Sequence, residues 1–148
     1  MNNSYPRELH LLVDGEWRGL NGRNAIPVVN PSNGDVIGQL PSATDQDIDD
    51  ALRAADEAFA TWSQTTAWHR DAILKKAAAL IDERRDRLAP ILTIENGKPV
   101  SDSHGELDRV IEAIIYCAEE CKRAYGRILP PRSRLLVQSS VKRPVGPV

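Results

Sequence analysis

The sequence has few of the residues that define several common classes of protein. Its 148 residues include two cysteines, one methionine and one phenylalanine. Two cysteines are too few for the disulfide framework of a small secreted domain. No apolar run approaches the roughly 18 residues that a bilayer crossing needs, and the first six residues lack the basic and then apolar pattern of a signal peptide. We therefore expect a cytoplasmic protein.

The chain also lacks an excess of charge of either sign. Nineteen basic residues against 21 acidic residues give a net charge of -2. This total charge favours neither nucleic acid nor a membrane as a partner. The hydrophobic fraction of 41% and the mean hydropathy of -0.39 are typical of a globular protein with a core.

Nucleotide-binding motifs are absent from the sequence. Gly15, Gly19 and Gly22 do not have the spacing of the dinucleotide fingerprint, and there is no P-loop. Residues 95–99 (ENGKP) resemble a glycine-lysine phosphate grip. However, they close a predicted helix at its negative C-terminal end, so we interpret Gly97 as a C-cap. We expect no cofactor-binding residue in this chain.

Motifs for nucleophilic or metal catalysis are absent too. The histidines, which form no Ser-His-Asp or His-Glu-x-x-His set, are His10, His69 and His104. Glu57 and Glu95 lie near apolar stripes, but nothing in the sequence pairs them as acid and base. We interpret all five as surface residues and expect no catalytic residue here.

Cys117 and Cys121 are spaced i and i+4 on a predicted helix. They could form half of a soft-metal site or a reactive thiol pair. No histidine follows at ligand spacing, and both lie on or beside the apolar stripe that includes Ile114 and Tyr125. We therefore interpret them as buried structural residues.

Two different patterns divide most of the chain. In residues 10–43, apolar runs alternate with the turn signals Asp14-Gly15 and Asn33-Gly34, which predict small antiparallel hairpins. In residues 44–126, apolar residues recur at helical spacing. In residues 127–144 the pattern returns to strand, and residues 145–148 begin an apolar run that stops, so we predict a truncated chain.

The helical region is predicted to contain four helices. The first begins at the cap Thr44. The second covers residues 68–87. The third is short and has Pro90 in its first turn, where a missing N–H costs nothing. The fourth begins at Ser103, which forms a capping box with Glu106, and ends at Gly126. The stripe predicted to be buried in the first helix consists of Ile48, Leu52, Ala55, Phe59 and Trp62.

Six segments follow one another in a characteristic order. They are LVDGEW (12–17), VNPSNGDVIG (29–38), AFATW (58–62), LAPILTIENGKP (88–99), YCAEE with YG (116–120 and 125–126), and RPVG (143–146). In this order they resemble the N-terminal portion of the NAD(P)-dependent aldehyde dehydrogenases, from about residue 11 to residue 148. Residues 119–126 are similar to the succinate-semialdehyde dehydrogenase branch of that family.

The resemblance implies an α/β aldehyde dehydrogenase-like fold, of which this fragment is the mostly helical part with a short N-terminal β region and a C-terminal β-arm. The implied domains are a loose N-terminus (1–9), a β hairpin region (10–43), the helical part of the cofactor-binding domain (44–126), an oligomerisation β-arm (127–144) and the truncated start of the first Rossmann strand (145–148).

The resemblance also implies the chemistry of a longer parent enzyme. A cysteine thiolate attacks the aldehyde, NAD or NADP accepts a hydride from the hemithioacetal, and water releases the carboxylic acid. The groups responsible are expected beyond this chain, which alone should bind no cofactor and be inactive. Backbone carbonyls of Val28, Val29 and Glu106 match a structural monovalent-cation site, and Leu135 to Lys142 match an arm that joins subunits into a homo-oligomer.

Two alternatives from other classes remain open. The chain could be a stand-alone, non-catalytic oligomerisation or binding module, which a native stop codon after Val148 would favour. It could also be a small helical redox or metal protein that uses its two cysteines, which metal analysis and thiol titration would show. The sequence does not specify the aldehyde, the choice between NAD and NADP, or the number of subunits.

Overall fold

The structure is a computed structural model and describes residues 5–147. The predictions made for residues 1–4 and for Val148 lie outside the described residues. Six short strands and four helices follow one another along the chain, with four strands before the helices and two after them. This arrangement agrees with the predicted mostly helical fragment.

The N-terminal β region consists of two antiparallel hairpins. β1 (Leu11–Val13) pairs with β2 (Glu16–Arg18), and β3 (Ala25–Val29) pairs with β4 (Val36–Pro41). The turn between β1 and β2 includes Gly15 at a φ of 76°, a conformation that glycine adopts without strain. The prediction of hairpins at both turn signals is therefore confirmed.

Residues 5–9 are not loose, contrary to the expectation for residues 1–9. Tyr5 is only 4% exposed and donates a hydrogen bond of 2.5 Å to Glu95. Burial and the Glu95 carboxylate raise the pKa of Tyr5 to about 12. Leu9 donates to the carbonyl of Gln39, and Gln39 donates to that of Arg7, each at 2.9 Å. The segment therefore packs along β4.

The first helix, α1 (Asp45–Trp62), begins as predicted. Thr44 is its N-cap, and a capping box joins Thr44 to Asp47. Its apolar stripe is not buried as expected, because Ile48 and Leu52 are 51% and 65% exposed. These two residues line an open groove with β1. The helical periodicity correctly identified the apolar face of α1. It could not show that this face is largely exposed.

The predicted second helix is divided in the structure. α2 (Ala67–Glu83) ends before Arg84, and α3 (Arg85–Asn96) begins after it. Pro90 therefore lies inside α3 and not in its first turn, which corrects the prediction. Arg84, with φ -98° and ψ 10°, serves both as the C-cap of α2 and as the N-cap of α3. A run of good helix formers gave no sequence signal for this break.

The fourth helix, α4 (Val100–Cys121), begins earlier than predicted. Its N-cap is Pro99, and the predicted cap Ser103 is fully buried inside the helix. The Ser103 hydroxyl lies 2.8 Å from that of Thr93 in α3 and so joins two helices. The helix also ends at Cys121 rather than Gly126, and Tyr125 is 71% exposed.

Small residues allow the helices to pack closely. α4 contacts α2 and α3, and the most buried apolar residues there are Ala78, Ala89, Leu107 and Ala118. The total accessible surface is 11400 Å², whereas a compact monomer of this mass exposes roughly 7500 Å². Many large apolar side chains are exposed, among them Trp17, Trp68 and Ile128 at 70%, 71% and 87%. No helix within residues 5–147 is long and apolar enough to cross a membrane.

The C-terminal region contains a third hairpin. β5 (Arg127–Leu129) pairs antiparallel with β6 (Gln138–Ser140), and both strands are exposed throughout. The strand signal near residues 135–142 comes with no turn and return strand that the sequence identifies, but β5 supplies that partner strand. β5 was not predicted because its three residues are too short a run to give a strand pattern in the sequence. Residues 145–147 form no strand within the described chain.

Candidate functional site

The predicted cation ligands lie at two places in the fold. Val28 and Val29 are at the end of β3, where the pairing with β4 shifts register between them. Such a bulge frees or redirects backbone groups, which suits a site formed by carbonyl oxygens. Glu106 lies in α4, two turns after its start.

The turn that follows β3 meets the end of α3 at Gly97. Gly97 ends α3 with a φ of 66° and donates to the carbonyl of Thr93 at 2.8 Å, which confirms the predicted C-cap. A Cβ atom on Gly97 would lie 2.9 Å from Cγ of Pro31 and 3.2 Å from the backbone nitrogen of Ser32. The β3–β4 turn therefore rests directly on the end of α3.

Lys98 connects this junction to α4. Its ammonium group pairs with the carboxylate of Glu106 rather than with a phosphate. The Glu106 carbonyl, inside the helix, points toward the N–H group four residues later. The bulge at Val28 and Val29 therefore suits a site formed by carbonyl oxygens. In α4, by contrast, the Glu106 carboxylate pairs with Lys98 and the Glu106 carbonyl accepts a helix hydrogen bond. The cation site stays a prediction.

A buried carboxylate joins the β region to α1. Asp47 is 3% exposed and accepts from Arg18 at 2.7 Å and from Arg23 at 2.9 Å. It also accepts from the backbone and hydroxyl of Thr44 at 2.9 and 2.8 Å. Arg23, Thr44 and Arg18 together hold the pKa of Asp47 well below its usual range. Asp47 therefore fixes β2 and the segment between β2 and β3 to the N-terminus of α1.

A second ionic cluster joins α2 to α4. Lys75 contacts Asp71 at 3.1 Å and Glu119 at 2.5 Å, and Lys122 contacts the same two carboxylates at 3.2 and 2.8 Å. Lys122 and Lys75 lower the pKa of Glu119 to about 2. The Lys122 ammonium also lies 5.0 Å from the ring centre of Trp68. This cluster therefore joins α2 to α4 through ion pairs.

The cysteines are less buried than expected. Cys117 is exposed, and Cys121 is intermediate. The Cys121 thiol donates to the carbonyls of Ala118 and Ala67 at 3.0 and 3.3 Å, so it joins α4 to α2. The interpretation of Cys121 as a structural residue is therefore supported by these contacts. For Cys117 the expected burial is wrong, because its side chain is exposed in the described part of the chain.

The described residues bring no catalytic set together. His10 and His69 are exposed and His104 is half-buried. Across residues 5–147 no three metal-binding side chains form a group. A dinucleotide phosphate would not fit the N-terminus of α1, because Asp45 and Asp47 occupy its first turn.

Comparison with known proteins gives the family. Residues 17–148 match the model of the aldehyde dehydrogenase family. The chain is 36% identical to the succinate-semialdehyde dehydrogenase [NADP(+)] GabD of Escherichia coli strain K12, over 99% of this chain and 30% of that protein. It is 37% identical to the glutarate-semialdehyde dehydrogenase of Pseudomonas putida, over 90% of this chain and 28% of that protein.

Solved structures share the fold. Aldehyde dehydrogenase 21 of Physcomitrella patens, in complex with the reaction product succinate, is similar at a TM-score of 0.80 and 34% identity, over 88% of this chain and 27% of that one. Succinate-semialdehyde dehydrogenase of Burkholderia pseudomallei gives 0.79 and 32%, over 90% and 27%. The chain belongs to the aldehyde dehydrogenase family. It spans about 30% of the length of the curated relatives it matches.

Proposed function

We propose that this chain is the N-terminal part of an enzyme that oxidises an aldehyde to a carboxylic acid with NAD or NADP. The observation that carries the proposal is the match of residues 17–148 to the family model, together with the TM-score of 0.80. The large exposed apolar surface supports it, because that surface suits a segment covered by further protein. The same surface disfavours the alternative of a stand-alone module.

The proposed chemistry is covalent catalysis by residues outside this chain. A cysteine thiolate forms a bond to the aldehyde carbon, and an asparagine amide with a backbone N–H stabilises the oxyanion. Bound NAD or NADP supplies the hydride acceptor. Water activated by a glutamate then cleaves the thioester to the acid. The part of this chain is structural: Asp47, the α2–α4 cluster and the Gly97 junction hold its elements in place.

The proposed substrate is a semialdehyde that carries a carboxylate at its far end. Two of the relatives are named for succinate and glutarate semialdehyde, and one solved relative holds succinate. A polar site that binds such a carboxylate rejects an analogue without it. We therefore expect kcat/KM for succinate semialdehyde to exceed that for butyraldehyde by at least about 100-fold in the complete enzyme.

The first prediction is that the 148-residue chain alone is inactive. With succinate semialdehyde and either NAD or NADP, we expect no increase in absorbance at 340 nm above the blank, because loss of nucleophile, base and oxyanion donor together removes several orders of magnitude in rate. A natural protein of larger intact mass that contains this chain should be active in the same assay. Robust turnover by the isolated chain, abolished by thiol alkylation, would contradict the assignment.

The second prediction concerns the cation site at Val28, Val29 and Glu106, which we retain as a proposal. Sodium or potassium at about 100 times its dissociation constant should stabilise the complete enzyme by about 2.7 kcal/mol. Thermal unfolding is compared in sodium, potassium and tetramethylammonium chloride at equal ionic strength, the last being too large for such a site. Equal midpoints in all three salts would exclude it.

The third prediction concerns the arm, which we propose joins subunits through Leu135 to Lys142. In Gly126→Ala the new Cβ would collide with the carbonyl oxygen of Ser140, which would separate β5 from β6. We expect a smaller oligomer in size-exclusion chromatography with light scattering. Gly105→Ala, whose Cβ meets only Arg109 at 4.0 Å, is the matched control. An unchanged oligomer in Gly126→Ala would show that the hairpin does not support assembly.

We also propose that the enzyme is cytoplasmic and that it binds neither nucleic acid nor membrane.

A further inference from the structure

Three asparagines of this chain are followed directly by glycine, at residues 21–22, 33–34 and 96–97. An Asn-Gly pair favours spontaneous deamidation, because glycine has no side chain to hinder the attack of its backbone nitrogen on the asparagine side chain. All three asparagines are exposed in the structure. Neither the local sequence nor the exposure therefore distinguishes the three pairs, whereas the hydrogen bonds at their reacting groups do.

The pair at 33–34 is held at both of its reacting groups. The N–H of Gly34 donates to the carbonyl of Asn30 at 2.8 Å. The side-chain amide of Asn33 donates to the Asp35 carboxylate at 2.7 Å, and its oxygen accepts from the Asp35 backbone at 3.0 Å. The nitrogen and the carbon that would have to join are thus kept in other contacts, so reaction requires these hydrogen bonds to break first.

The pair at 96–97 is held by the end of α3. The N–H of Gly97 donates to the carbonyl of Thr93 at 2.8 Å, and the side-chain amide of Asn96 donates to the carbonyl of Leu92 at 3.0 Å. Reaction at this pair therefore requires the last turn of the helix to open.

The pair at 21–22 lies in a turn between β2 and β3 and is not held in this way. The N–H of Arg23 closes the turn by donating to the carbonyl of Leu20 at 2.5 Å. The two central residues, Asn21 and Gly22, both have positive φ, 26° and 80°, as in a type I′ turn. Within residues 5–147, neither the Gly22 N–H nor the Asn21 side chain forms a hydrogen bond.

We propose that Asn21 is the site at which this protein deamidates spontaneously, with water as the only co-reactant, and that the product weakens the contact of Arg23 with Asp47. The Gly22 nitrogen loses its proton to solvent and forms a bond to Cγ of Asn21. The Cγ–Nδ2 bond breaks, and the leaving nitrogen takes a proton from solvent and departs as ammonia. Water then opens the resulting succinimide ring at either of its carbonyl carbons. The residue at position 21 becomes aspartate or isoaspartate and gains a negative charge.

The product changes the turn that positions Arg23. Isoaspartate adds a carbon atom to the main chain between positions 21 and 22, so the N–H of Arg23 is displaced from the carbonyl of Leu20. The new carboxylate, two residues from Arg23, also competes for its guanidinium group, which contacts Asp47 at 2.9 and 3.1 Å. We therefore expect amide hydrogens of residues 19–24 to exchange about fivefold faster in the deamidated protein.

The test is ageing of the complete protein in mildly alkaline buffer, followed by peptide mapping with mass spectrometry. Because each hydrogen bond that must break lowers the reactive fraction several-fold, Asn21 should deamidate at least about tenfold faster than Asn33 or Asn96. The same protein aged in denaturing urea is the internal control. There the three rates should become similar, since each asparagine then precedes a glycine in an unfolded chain.

Two variants test the assignment independently. Asn21→Gln keeps an amide but places it one carbon further from the backbone, and it should remove most of the isoaspartate that isoaspartyl methyltransferase labels in the aged protein. Asn33→Gln is the matched control and should age like the unmodified protein. Equal rates at the three sites of the folded protein, or a faster rate at Asn33 or Asn96, would overturn the assignment. Unchanged hydrogen exchange of residues 19–24 after ageing would overturn the proposed effect on Arg23.

Discussion

Asp47→Ala is expected to lower the midpoint of thermal unfolding by about 10 °C, since removing one partner of a buried ionic group leaves the others uncompensated. The variant removes the carboxylate that Arg18 and Arg23 share, leaving Arg18 with Asp50 alone, and it also removes the capping box of Thr44. The loss should therefore include the docking of β2 and of the β2–β3 segment onto α1. Circular dichroism at 222 nm follows the transition.

Asp49→Ala is the matched control for this variant. Asp49 lies on the same helix, is exposed and forms no ion pair within the described residues. Its replacement should change the midpoint by about 1 °C or less. Equal midpoints for the two variants would show that the Asp47 network does not hold β2 and the β2–β3 segment against α1.

The same carboxylate gives a dependence on pH. Because the folded pKa of Asp47 is lowered, its contribution is fully present above the unfolded pKa of about 3.9. The contribution is lost as the pH falls below that value toward the folded pKa. Asp47→Asn should remove this part of the acid sensitivity, so its midpoint should fall less between pH 5 and pH 3 than that of the unmodified protein.

Local signals predicted those features that depend on neighbouring residues. The Thr44 cap and the Gly97 C-cap are set within four residues, and both were confirmed. The Asp47–Arg23 contact spans 24 positions, and nothing in the sequence selects Arg23 from the 19 cations of the chain. The contact of Tyr5 with Glu95 spans 90 positions and was missed for the same reason.

Other predictions were wrong because a real sequence pattern has another role in the fold. Ser103 and Glu106 have capping-box spacing, but Pro99 begins the helix earlier, and the Ser103 hydroxyl faces Thr93 of another helix. The apolar stripe of α1 has the predicted period, but its period does not determine how much of it is covered, and Ile48 and Leu52 are exposed. The total charge of -2 hides the seven basic residues that residues 122–148 hold without an acidic one, because a sum over the whole chain cannot show where charges lie.

The order of the sequence segments was enough to identify the family. It was not enough to locate the candidate cation site. The contacts found among the described residues are packing contacts, helix caps and ion pairs. Such contacts leave only weak patterns in the sequence. The cation prediction depends on carbonyl oxygens, which every residue has. The bulge at Val28 and Val29 is the one feature that distinguishes them, and it depends on strand pairing that spacing does not specify.

Gly97→Ala should cost about 3 kcal/mol of the free energy of unfolding, combining the strain of a left-handed alanine with a steric clash. The φ of 66° is unfavourable for any side chain, and the new Cβ would press on Pro31 and on the backbone of Ser32. Gly34→Ala separates the two causes, because Gly34 has a φ of 79° but open space around it. It should cost about 1 kcal/mol. Urea unfolding gives both values, and equal losses would mean that the β3–β4 turn moves away from α3 freely, so that Gly97 is needed for its backbone conformation alone.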